Sequence, residues 1–228
     1  TANAGDNGVS GQLVLSTGTA SEGNSGALYI GSGDAKSGRG GALYVSVGSG
    51  NSGAGGELVL SAGTSTQESG GRLSVRSGVS GSKRSGALLL HTASSPLSGD
   101  LILSSGVAAN GDSGALRIGS GGSTGGSGGG IKIAVGSGNT GAGGDMILSA
   151  GQTSATSAGG SVKISSGYST QRSSGPMTLY TSNAGSSGVS GELVLSTGTA
   201  SFGNSGAVYI GSGSASSGRG GALYVSVG

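Results

Sequence analysis

The chain has 228 residues, 56 of them Gly, with 3% aromatic and 9% charged side chains and a formal charge of +2. An ordinary mixed domain carries about 7% Gly and about 25% charge, two Pro and a Gly pattern with no three-residue register exclude collagen, and the absence of Cys removes disulfides, thiolate metal sites and thiol catalysis. The few charges form no basic cluster dense enough for a nucleic-acid partner, no apolar run approaches the ~20 residues of a membrane span, and the low net charge argues against simple disorder.

One phrase recurs along the chain: G-x-L-x-L-x-x-G, with Ile, Val or Met allowed for Leu. It opens at Gly11, Gly26, Gly41, Gly56, Gly71, Gly86, Gly99, Gly114, Gly129, Gly144, Gly160, Gly175, Gly191, Gly206 and Gly221. The step is fifteen residues except for 13 after Gly86 and 16 after both Gly144 and Gly175, so twelve steps sum to 180. Repeats of this kind dictate the architecture and are read before anything else.

The predicted elements follow these steps in chain order. Leu13 and Leu15 form the first aliphatic pair, then Leu28 and Ile30, Leu43 and Val45, Leu58 and Leu60. Leu101 and Leu103, then Ile131 and Ile133, continue the two columns through the middle of the chain. The residue between the pair varies freely, as at Val14, Tyr29, Ser74, Arg117 and Lys132. This is period two, the signature of a strand with one apolar face, and the three- and four-residue spacing of a helix is missing. Between phrases lie short polar stretches such as TASEGNS, often with a small residue near the start (Ala20, Ala35, Ala184, Ala200).

These stretches are too short for a crossover helix, which leads to an expectation. The fold class is all-β: a parallel β-solenoid with about fifteen residues per rung, a thin aliphatic core built from the two columns, and Gly-rich corners. A disordered chain would not hold one aliphatic phase through fifteen steps, and an antiparallel meander would alternate two kinds of strand. An acid or amide follows the leading Gly at every third step (Gln12, Glu57, Asp100, Asp145, Glu192), a spacing that keeps like charges from lying opposite each other in a stacked ladder.

A longer period overlies the short one. Residues 1–48 align without a gap to 181–228, with differences only at positions 2, 6, 7, 12, 22, 28, 34 and 36. The phrase at 41–63 also returns in altered form at 129–151. The expected organisation of residues 1–228 is one continuous solenoid cut from a longer array, with a 180-residue unit of twelve rungs in two diverged halves.

Catalytic signals are sparse. Gly48 to Gly53 and Gly136 to Gly141 fit G-x-G-x-x-G, but no helix-forming segment follows as a dinucleotide site requires. His91 is the sole histidine, and the equivalent position one half-unit later is Tyr180. Acids are scattered singly. No catalytic residue, cofactor or metal is expected, and the chain is not read as an enzyme. The middle column is more informative: Val14, Tyr29, Tyr44 and Val59 form an apolar run that returns as Val194, Tyr209 and Tyr224. Such a stripe points to lateral packing against other copies or fibre proteins. No N-x-S/T sequon occurs, so any glycan is expected on Ser or Thr oxygens.

On the recurring phrase and the Gly/Ser composition, the chain resembles the parallel β-solenoid arrays of extracellular fibres and large surface adhesins. The resemblance covers the whole chain and implies an extracellular or cell-surface structural protein that forms or extends a filament, stalk or fibre. A repetitive adhesive or glycan-binding surface is the alternative. Ice binding fits less well, because Thr17-Gly18-Thr19 and Thr197-Gly198-Thr199 are not repeated in the intervening steps.

Overall fold

The computed structural model describes Thr1, Asn3 and residues 8–227. Ala2, residues 4–7 and Gly228 lie outside the described residues, and with them most of the opening phrase TANAGDN. The chain divides into two units, Thr1–Leu116 and Arg117–Gly228.

Neither unit contains a helix or a strand among the described residues. The expectation of an all-β parallel β-solenoid, or β-helix, is therefore overturned. So is the thin aliphatic core, because no described side chain is buried. The physical reason lies in where the backbone hydrogen bonds go. A solenoid needs each extended segment to pair with the next along its whole length. Here the bonds close short loops instead: the Gly71 N–H donates to the Gly63 carbonyl at 2.8 Å and the Gly86 N–H to the Gly78 carbonyl at 2.9 Å in the first unit. In the second, Gly160 donates to Gly151 and Gly175 to Gly167, both at 2.8 Å. Period-two alternation specifies extended backbone with one apolar face, but it does not name the chain that face must meet.

The fifteen-residue step nevertheless survives as geometry. Bends fall at 21–23, 36–38, 51–54, 66–68, 81–83, 96–97 and 109–111 in the first unit. They fall at 124–126, 139–141, 154–157, 170–172, 186–188, 201–203 and 216–218 in the second. The irregular spacings of the phrase reappear in the bends, with 13 residues from 96 to 109 and 16 from both 154 to 170 and 170 to 186. Alternation survives at several steps, though not at the first, where Leu13 is more exposed than Val14. Leu28 and Ile30 are 54% and 63% exposed while Tyr29 between them is 92% exposed, and Leu43, Tyr44 and Val45 repeat the pattern at 56%, 89% and 65%.

Most loops close where a residue six places after one leading Gly meets the next leading Gly; Gly99, with nothing within 4 Å of its Cβ position, is an exception. A Cβ on Gly41 would lie 2.9 Å from Ser32 Cβ, and one on Gly56 would lie 2.5 Å from Val47 Cγ1. In the second unit a Cβ on Gly144 would lie 2.7 Å from Val135 Cγ1. At these three positions the leading Gly is required for close approach. Positive φ belongs elsewhere, to glycines twelve places after a leading Gly: Gly23, Gly38, Gly53 and Gly111 in the first unit and Gly203 and Gly218 in the second.

Candidate interaction surface

Three positions of each step share one side of the extended segment: the second, fourth and sixth after the leading Gly. The second and fourth are the two aliphatic columns, and every member is exposed, including Leu13, Leu15, Leu58, Leu60, Leu101, Leu103, Ile131 and Ile133. The sixth is a column that an aliphatic criterion passes over. It reads Thr17, Ser32, Val47, Ala62, Ser77, Thr92, then Ser105, Ser120, Val135, Ala150, Ser166, Thr181, then Thr197, Ser212, Val227. That is a six-step cycle. Ala62, Ser77 and Thr92 in this column are half-buried, in a chain where nearly every other residue is exposed.

The sixth position also sets how each loop closes. Thr17 Oγ1 donates to the Gly26 carbonyl at 3.0 Å and Ser32 Oγ to the Gly41 carbonyl at 2.7 Å. In the second unit Ser120 donates to Gly129 at 2.6 Å and Thr197 to Gly206 at 3.1 Å. Val47 and Val135 close by packing alone. After Ala62, Ser77, Ala150 and Ser166 the backbone closes the loop itself. In those same four steps a hydroxyl nine places after the leading Gly accepts bend amides. Ser65 Oγ accepts from the Glu68 N–H at 2.9 Å, Ser80 from Lys83 at 3.0 Å, Thr153 from Ala155 at 3.1 Å and Ser169 from Arg172 at 2.9 Å.

Two families of step result, three in a row of each. One turns on Gly at the twelfth position, as at Gly23, Gly38 and Gly53. The other carries a side chain there, such as Glu68, Lys83 or Arg172, and turns on a Ser or Thr cap where the hydrogen bond forms. The signal was present in the spacing of glycines, but it is masked in a chain with 56 of them.

Charge is absent from all three columns. Every Lys, Arg, Asp and Glu stands at another position of the step. Arg117, Lys132 and Lys163 occupy the third position, and Glu57, Arg72, Asp100, Asp145 and Glu192 the first. The residues singled out for lateral packing, Val14, Tyr29, Tyr44, Val59, Val194, Tyr209 and Tyr224, also stand at the third position and are exposed.

Chemistry elsewhere is thin. His91 Nδ1 lies 3.2 Å from the carbonyl of its neighbour Thr92. Among the described residues no group of His, Asp and Glu could hold a metal ion, and no helix is long and apolar enough to cross a membrane. Gly48–Gly53 runs into the bend at 51–54 with no helix after it, so the phosphate-binding geometry of a dinucleotide site is not built. In the Thr-x-Thr pairs, Thr17 and Thr197 direct their hydroxyls inward to Gly26 and Gly206. No protein-family model, curated protein or solved structure matches this chain.

Proposed function

We propose that the chain is a structural segment of an extracellular or cell-surface filament, stalk or fibre. The observation that carries this reading is the repetition itself: the same two families of loop, spaced by a step of about fifteen residues, recur in both units, and residues 1–48 recur almost unchanged at 181–228. A binding or catalytic protein concentrates distinct residues at one place. This chain distributes the same residues at constant intervals, which suits a material that gains length by adding units. The extracellular placing rests on the Gly/Ser composition shared with extracellular fibres.

Electron microscopy of the native material tests the reading. Filaments whose axial period corresponds to one 180-residue unit are the expected result. Discrete globular particles would overturn it.

A further inference from the structure

We infer that the working form of this chain is a parallel, in-register assembly of identical copies, whose shared interior is built from the second-, fourth- and sixth-position columns. The inference rests on the fibre reading above and adds the partner and the interface.

The area comes first. The chain exposes 22907 Å². A folded chain of 20.9 kDa exposes about 9,000 Å², and an unfolded one about 30,000 Å². Even a large obligate interface removes only about 2,000–5,000 Å² in total from both partners. The excess here is larger than that, so a partner that covered it would run along the chain's length rather than sit at one patch.

The composition of the columns comes second. Solvent-facing positions in fifteen successive steps would admit Lys or Glu somewhere. The second and fourth positions hold only aliphatics and Met, and the sixth only Thr, Ser, Val and Ala. Side chains so restricted are selected for burial, yet the isolated chain leaves Leu43, Leu58 and their equivalents exposed.

The spacing identifies the occupant. The first unit carries one step of 13 residues, after Gly86, and the second carries two of 16, after Gly144 and Gly175. Against a partner with uniform fifteen-residue steps, each 16-residue step imposes a one-residue slip, which turns an alternating segment's apolar face outward, and the 13-residue step imposes a two-residue slip, which keeps the face but moves every column one place along it. An antiparallel copy would set the 13-residue step against one of fifteen. A parallel copy matches every step without adjustment. Small residues at the sixth position leave room for neighbouring backbones to approach, and the first and third positions, which hold Glu57, Arg72, Arg117 and Lys132, stay on the outside.

The test uses the intact chain. Light scattering coupled to size-exclusion chromatography is expected to give an integral number of copies. Because the chain has no Cys, Ser74→Cys and Thr178→Cys can each be spin-labelled in separate preparations. Strong dipolar coupling between copies at both sites is expected; an antiparallel assembly would couple at one at most, and coupling at neither also overturns the register. Leu73→Asp is expected to reduce the oligomer to monomer, while Ser74→Asp leaves it intact. A monomer that unfolds cooperatively overturns the inference. Filaments could still be seen by microscopy in that case, so the two readings fail separately.

Discussion

Glycine at the head of a step is a matter of space at Gly41, Gly56 and Gly144. A Cβ on Gly41 would meet Ser32 Cβ at 2.9 Å, an atom fixed to the backbone that cannot rotate away. Gly41→Ala is expected to destabilise the chain by about 1–3 kcal/mol, the usual range for forcing an extra methyl into a close contact. Gly18→Ala is the control. Nothing lies within 4 Å of its Cβ position, and its φ is not in the left-handed region. That substitution is expected to be neutral, or to stabilise by about 0.4–1 kcal/mol through the unfolded chain. Denaturant midpoints of the two variants, measured side by side, check the contrast. Gly53 belongs to a third class. Its φ of +81 with open space around it means that Ala there would be strained by backbone conformation alone.

At the level of the step, two closures do the same job with different atoms, and each has its own test. Ser80 Oγ accepts from the Lys83 N–H at 3.0 Å, and Ser80 is half-buried. Ser80→Ala is expected to cost about 0.5–1.5 kcal/mol locally, read as up to roughly tenfold faster amide exchange at Lys83. Thr17→Val removes the hydroxyl bond to Gly26 but keeps the branched shape, and the chain already closes one step in three of this family with Val47. It is expected to change the stability read from the denaturant midpoint by less than about 0.5 kcal/mol, whereas Thr17→Asp would place charge in a column that has none. These closures also show what the sequence could convey. The aliphatic columns at Leu13/Leu15 through Leu223/Val225 were legible because period two is a local property of the backbone. The pairing partner was not, because Leu28 and Ile30 look the same whether the next step or another chain covers them. The sixth column was written in Ser and Thr, residues that a search for apolar faces discards, and its six-step cycle emerges only when the loops are seen to close on it.

For the whole molecule, unequal steps become the informative feature. Fifteen equal steps would let identical chains associate in many registers, each shifted by one step, and the bulk of the apolar contact would be kept in all of them. The 13-residue step after Gly86 and the 16-residue steps after Gly144 and Gly175 break that degeneracy. Inserting two residues into the polar stretch between Thr92 and Gly99 restores fifteen there without touching a column. The lengthened chain is expected to associate with itself as well as the parent does, because every copy carries the same change. Mixed with the parent after joint denaturation and refolding, it is expected to form few mixed oligomers, since the columns on the far side of the insertion would fall two residues out of phase. Energy transfer between differently labelled parent and variant chains measures this directly. Mixing as free as that of parent with parent would mean that the polar stretches absorb length differences, and that register is set by the sixth-column cycle instead of by step length.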